Sequence, residues 1–253
     1  MLETPSRFER PAGSRYHVSV AVDDIEIREA QRLRYRVFAE EMGARLNCRE
    51  PGLDADLYDP FCDHMLVRDR EDGEVVGTYR ILGPEAARQV GGYYSEEEFD
   101  LARFHHVRPG MAELGRSCVD PRHRSGAVIA KLWAGLAEYA RHYGHRYLVG
   151  CASISMADGG HNAANVYRHL AQRHLSPIEW RVHPRCRLPI EALDSGAVAQ
   201  VPPLIKGYIR AGAWVCGEPA WDPDFNTADL FLLLPLERLD RAYAQRFDGA
   251  ALR

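Results

Sequence analysis

Residues 111–143, MAELGRSCVDPRHRSGAVIAKLWAGLAEYARHY, divide into three parts. Met111 to Val119 is short and half apolar, and Asp120-Pro121 stops it, because proline cannot donate to a sheet and biases the residue before it away from helix. This predicts a strand. Beyond the turn, Val128, Ile129, Leu132, Trp133, Leu136, Tyr139, Ala140 and Tyr143 recur at three- and four-residue steps. They mark one face of a helix of about five turns, with Ser125 as its N-cap and Gly144 as its stop. Arg122 and Arg124 lie between strand and helix. Exposed N–H groups of the first helical turn, the positive end of the helix dipole and two guanidinium groups therefore converge on one spot suited to a phosphate. Taken alone, the same two arginines read equally well as solvated surface.

Glu113 and Arg116 are three residues apart, so a regular strand points them to opposite faces. Gly115 between them can host a bulge, which would turn both side chains to one side and free backbone polar groups. The plainer reading of this pair is a cross-strand ion pair.

At 253 residues the chain can bury one large domain, or one domain with a substantial extension. Residues 1–14 read as a flexible lead-in to a single domain over 15–253. A hydrophobic content of 46% with 27% charged residues belongs to a soluble globular protein. No apolar run is long enough to span a bilayer and MLETPSRFERPAG lacks a signal-peptide core, so the expected location is the cytoplasm. The six cysteines have no metal-ligand spacing, and His105-His106 lack a third ligand, so no metal site is expected. A net charge of -4 offers nucleic acid no general attraction. Lys131 and Lys206 are the only lysines, which disfavours Schiff-base chemistry.

Along the chain, Tyr16 to Val22 alternates as a first strand, and a helix capped by Asp23 or Asp24 runs to about Met42. Ala30, Leu33, Val37 and Met42 trace its buried side, while Arg34 and Phe38 share a stripe. No periodicity survives from Ala44 to Phe61, where Asp54, Asp56 and Asp59 cluster. A hairpin follows, DHMLVRD and EVVGTYRIL about a turn at Glu71-Asp72-Gly73, closed by Pro84. After the long helix come a buried strand from Arg146 to Ala152 and a helix from Gly160 to His174. A short strand at Trp180 to His183, a helix opened by Pro202-Pro203, a core strand from Leu230 to Leu236 and a final short helix complete the pattern. This order predicts an α/β domain with a mixed, mostly antiparallel sheet flanked by helices and a C-terminal helical and strand extension from about residue 176.

That order, with its phosphate-cradling turn, resembles the GNAT acyltransferase fold. AQRLRYRVFAEEMGA (30–44), CDHMLVRD (62–69), VVGTYRIL (75–82), ELGRSCVDPRHRSG (113–126), PPLIKGYIRAGAWV (202–215) and DPDFNTADLFLLLP (222–235) are together similar to the L-ornithine Nα-acyltransferases of ornithine-lipid biosynthesis. More distantly, Arg34-x-x-x-Phe38, Asp63, Arg80 and Glu113-x-x-Arg116 resemble the pattern of acyl-homoserine lactone synthases. PRHRSGAV offers a single glycine, Gly126, where coenzyme-A-dependent members carry several. Fewer N–H groups can then close round a pyrophosphate, whereas a phosphopantetheine arm presents one phosphate.

The resemblance implies transfer of a 3-hydroxyacyl group from the 4'-phosphopantetheine of acyl carrier protein to the α-amine of L-ornithine, giving lyso-ornithine lipid with no tightly bound cofactor. It implies Glu113 as base and Arg116 as its orienting partner, with Arg34, Phe38, Asp63 and Arg80 at the acceptor and Asp63 meeting the second amine. Arg122, Arg124, Ser125, Gly126 and Lys131 would hold the pantetheine arm and its acidic carrier. The helix from Pro203 is a candidate wall for the acyl chain, with core packing its somewhat favoured alternative reading, and the amphipathic product implies transient contact with the inner membrane surface. Open alternatives are a coenzyme-A-dependent GNAT acting on another small amine, an acyl-homoserine lactone synthase-like enzyme, and a non-catalytic module that binds acyl carrier protein.

Overall fold

The computed structural model describes residues 14–46, 48, 50–193 and 196–238. β1 (Tyr16–Val20) leads into α1 (Asp24–Tyr35), whose N-cap Asp23 accepts the Glu26 N–H at 2.9 Å. The helix then widens into a π-turn over Arg36–Glu41. This change of pitch shifts the apolar stripe, so Leu33 and Val37 are buried but Met42, expected on the same side, is 53% exposed. A long loop ends in a 3-10 turn, Asp59–Phe61, before the hairpin of β2 (Asp63–Asp69) and β3 (Val75–Leu82).

Pro84 does more than close that hairpin: at the first position of a helix its missing N–H costs nothing, and it opens α2 (Pro84–Val90). β4 (Phe99–Asp100), β5 (Met111–Val119), α3 (Ala127–His142), β6 (Tyr147–Ser155) and α4 (His161–His174) follow. The strand expected at Trp180 to His183 is instead a 3-10 turn, Ile178–Trp180, and a two-residue β7 (His183–Pro184) that pairs with β4. The chain continues through α5 (Pro203–Arg210), β8 (Trp214–Val215), β9 (Ala220–Asp222) and β10 (Thr227–Pro235). The expected final helix falls outside the described residues, as does nearly all of the expected lead-in.

The main sheet runs β1-β2-β3-β5-β6-β10-β8, with β9 also on β10. Every adjacent pair is antiparallel except β5 and β6. The mostly antiparallel α/β arrangement expected from the sequence is therefore the one adopted. β3 and β10 are buried along their whole lengths, which is why both read as near-continuous apolar runs. α3 lays Val128, Leu132, Leu136 and Tyr139 against Val18, Met65 and Val67 of the first strands. Each such aliphatic side chain removed from water contributes about 1.5–3 kcal/mol.

A break in the sheet creates the site. β5 and β6 run parallel only where Met111, Ala112 and Glu113 face Tyr147, Leu148 and Val149. Beyond Glu113 they part, and the wedge between them opens toward the N-terminus of α3. Gly150 sits at the parting, where any side chain would run into the Leu114 carbonyl. Among the described residues no helix is long and apolar enough to cross a membrane.

Candidate active site

The wedge is a cavity of about 930 Å³ whose lining includes Phe38, Arg80, Tyr94, Glu113, Arg116 and Trp133. Its geometry begins with a bulge on β5, one residue later than the sequence suggests. Gly115 stays in the ladder opposite Arg80, and the register slips between Thr78 and Arg80, leaving Arg116 and Ser117 opposite Tyr79. Arg116 takes up the slack with φ at +49°, a region that disfavours a side chain with a Cβ. The effect on side chains is the expected one, since Glu113 and Arg116 both reach the cavity.

What holds Arg116 there is the acidic loop that carried no periodicity. Arg116 pairs with Asp54 at 3.3 Å and Asp56 at 3.2 Å, and its guanidinium lies 4.5 Å from the Phe225 ring centre and 5.1 Å from that of Tyr94. Arg80 donates to Asp56 at 2.6 Å. Arg34 is fully buried and pairs with Asp54 at 3.0 Å and Asp59 at 2.8 Å. Burial pushes the Asp59 carboxyl up, but the charges of Arg34 and Arg80 outweigh it and hold the group below the usual range. His64 donates Nε2–H to the Asp59 carbonyl at 3.1 Å, and burial lowers its affinity for a proton. Arg34, Arg80 and Arg116 thus balance Asp54, Asp56 and Asp59. Arg34 is not in the cavity lining and acts by fixing the loop, whereas Arg80 and Arg116 present themselves to the cavity. Phe38, 9% exposed, stacks edge-on against Phe225 beside them.

Glu113 is 4% exposed and accepts N–H groups of Tyr94 at 2.7 Å and Ser95 at 2.8 Å, together with the Ser95 hydroxyl. Burial raises its affinity for a proton more than these donors lower it. Asp63 is placed elsewhere: its carboxylate accepts the Tyr139 hydroxyl, and it is not among the residues lining the cavity.

At the outer end, α3 begins at Ala127, and its cap is Gly126 at φ +91° and not the expected Ser125. No side chain caps the helix, so its first N–H groups face the cavity mouth beside Gly126 and Arg124. Arg124 donates to Glu41 at 2.7 Å. Arg122 donates to Asp120 at 3.0 Å and Glu74 at 2.7 Å and lies off the cavity, as does Lys131 one turn into α3.

The cavity lining also includes Asp222, Thr227 and Asp229. Glu98, Cys151 and Asp229 bring ligating atoms within 4.8 Å of one another. Sequence reading passed over this group and over Ser95. The signal was there for one of them, since Asp229 is a lone carboxylate in an otherwise apolar run, ADLFLLLP. α5 supplies Pro203, Leu204, Gly207 and Tyr208 to the cavity lining. A smaller apolar hollow of about 70 Å³ shares Leu114, Trp133 and Tyr208 with it and continues to Leu136, Leu148 and Leu234.

Residues 33–134 match the family described as Acetyltransferase (GNAT) domain. Among solved structures, the chain is similar to the acyl-homoserine lactone synthase LasI, with a TM-score of 0.56 and 17% identity over 94% of this chain and 96% of that one. It is similar also to FeeM, an N-acyl amino acid synthase from uncultured soil microbes, with a TM-score of 0.54 and 15% identity over 88% and 92%. At these identities the likeness is one of fold. Sequence relatives are much nearer. The L-ornithine N(alpha)-acyltransferase of Brucella abortus is 37% identical over 252 residues, 93% of this chain and 90% of the relative. That of Rhodobacter capsulatus is 37% identical over 92% of this chain and 96% of its own. With the likeness covering nine-tenths or more of both chains, the chain belongs to the L-ornithine Nα-acyltransferase family.

Proposed function

We propose that the protein transfers a 3-hydroxyacyl group from the phosphopantetheine arm of acyl carrier protein to the α-amine of L-ornithine, giving lyso-ornithine lipid. Acyl transfer to ornithine rests on the family. The observation that carries the rest of the reading is the cavity itself, which joins an uncapped helix N-terminus, the interrupted strand β5 and a deep apolar wall in one continuous space.

The arm enters at the mouth. Its phosphate meets the first N–H groups of α3, with Arg124 at the rim and Arg122 and Lys131 outside toward the acidic carrier. One glycine suffices for one phosphate. The acyl chain runs along α5, where each methylene removed from water contributes about 0.8 kcal/mol.

The ornithine α-carboxylate faces Arg80 and Arg116, the two guanidinium groups of the balanced cluster that reach the cavity. Its α-amine must lose a proton before it attacks the thioester carbonyl, and Glu113 takes that proton through a water, its raised proton affinity suiting the task. Attack produces an oxyanion, and backbone N–H groups at the bulge on β5 lie where the ladder is interrupted and can answer it. Collapse expels the pantetheine thiol. The product is amphipathic, so its release is expected to bring the protein into transient contact with a membrane surface.

The test is a mass-spectrometric assay of purified protein with 3-hydroxyacyl carrier protein and an equimolar mixture of ornithine, lysine, glutamine and glycine. Nα-acyl-ornithine is the expected product. Turnover of acyl-coenzyme A with none from carrier protein would overturn the donor.

A further inference from the structure

On β10 the cavity wall carries a buried acid, with a second acid standing against it. Asp229 is 4% exposed and lines the cavity, and its Oδ1 is buried without a hydrogen-bond partner. Thr227, two residues earlier on the same face of β10, is 3% exposed and lines the same wall, its hydroxyl buried beside the Asp229 carboxyl. Glu98 stands against Asp229 from just ahead of β4, behind the cavity lining, with both carboxylate oxygens buried and its side chain bonded to Asp229 and Cys151. Asp222 adds a further acceptor group to the wall. No arginine or lysine among the described residues pairs with Glu98 or Asp229.

In the cluster around Arg116 every aspartate has its arginine. At Asp229 and Glu98, carboxylates have been removed from water with no cation, an arrangement that natural cores avoid unless something else supplies the charge. Burial pushes both carboxyl groups up, helped at Glu98 by the charges of Asp229 and Asp222 and at Asp229 by that of Asp222.

We infer that Asp229, Glu98 and Thr227 form the recognition site for the side-chain ammonium of the acceptor amino acid. The inference rests on the proposed function and deepens it. An alkylammonium carries three N–H donors and no acceptor, and Asp229 and Thr227 offer acceptor oxygens in the wall with Glu98 directly behind them. The acceptor is then held at both ends, its carboxylate toward Arg80 and Arg116 and its ammonium toward Asp229. Its α-amine lies between them, near Glu113. Cys151 closes the group on the side of Glu113, its thiol donating to the Ser95 hydroxyl at 3.3 Å. A site built to pair with a buried charge rejects the isostere that lacks it, because its own groups are then left unpaired.

The experiment compares L-ornithine with L-norvaline, which has the same carbon chain and no side-chain amine. 3-Hydroxyacyl carrier protein and acyl-coenzyme A are each supplied as donor. Wild type, Asp229→Asn and Glu98→Gln are assayed with and without a chelator, and their metal content is measured. The wild type is expected to favour ornithine in kcat/KM by about 100-fold or more. Each variant is expected to lower that ratio at least tenfold. The inference is overturned if wild type acylates norvaline as well as ornithine, a comparison that needs no variant to fold. It is overturned also if both variants lose the two acceptors equally, or if activity follows a divalent ion bound at Asp229. If wild type acylates no amino acid from either donor, the functional reading itself fails and this inference falls with it.

Discussion

Ser95 gives both its backbone N–H, at 2.8 Å, and its hydroxyl to the same carboxylate oxygen of Glu113. The other oxygen takes the Tyr94 N–H at 2.7 Å, so one side chain on β5 clasps the turn that leads to Glu98. Glu113 therefore has two duties, as a proton acceptor and as a pillar, and they separate by mutation. Glu113→Gln turns an amide toward donors it cannot fully satisfy. The expected outcome is a loss of kcat of about 10²-fold or more together with a Tm lower by several degrees. Ser95→Ala weakens the clasp but keeps the carboxylate, and is expected to lower Tm while kcat stays within about tenfold. Retention of kcat in Glu113→Gln would end its role as base.

The buried pair of Arg34 and Asp59 ties the acidic loop to α1. Asp59→Asn leaves the Arg34 charge leaning on Asp54 alone, and removal of one member of such a pair costs about 3–5 kcal/mol. The pH dependence has a definite sign. Because the folded-state affinity of Asp59 for a proton is depressed, its contribution is fully present above the ordinary aspartate value near about 4 and is lost as pH falls through the lower folded value. The Tm gap between wild type and Asp59→Asn should be wide at pH 7 and close below that range. A gap that does not change with pH would mean that Asp59 is not ionised.

Strongly periodic elements were legible in the sequence because their signal is local. α3 and the β2–β3 hairpin depend on apolar spacing and a turn, and they fold where expected. Glu113, Arg116 and Arg80 were found as candidates and share one cavity. What escaped was set by register and by distant parts of the chain. The bulge falls on Arg116 and not on Gly115 because Asp54 and Asp56, some 60 residues earlier, hold that guanidinium. Glu98 and Asp229 meet only because β6 and β10 pair and the loop before β4 folds over them. Ser125 gave way to Gly126 as the cap, a difference of one residue that spacing does not resolve.

Arg116 stores strain in its backbone and offsets it with its side chain. At φ +49° an L-residue gives up about 1–2 kcal/mol that glycine does not. Arg116→Ala loses the ion pairs and keeps the strain, whereas Arg116→Gly loses the ion pairs and relieves it. Both variants should lose most activity, and Arg116→Gly should melt about 2–4 °C higher than Arg116→Ala. Equal Tm values would show that β5 relaxes out of the bulge once the guanidinium is gone.

Acyl length should be set where the two hollows share a wall. Trp133 stacks on Tyr208 with ring centres 5.0 Å apart, and both side chains line the main cavity and the smaller apolar one behind it. Trp133→Leu removes an aromatic ring from that partition while leaving an apolar side chain against α5. An acyl chain can then extend toward Leu136, Leu148 and Leu234. Each additional methylene buried contributes about 0.8 kcal/mol, or roughly fourfold in kcat/KM if it is fully retained in the transition state. Competition between carrier-bound donors of increasing length, read by mass spectrometry, should show the optimum move to longer chains in the variant. If the profile keeps its optimum and only falls in height, the chain takes another path out of the wedge and Trp133 serves packing alone.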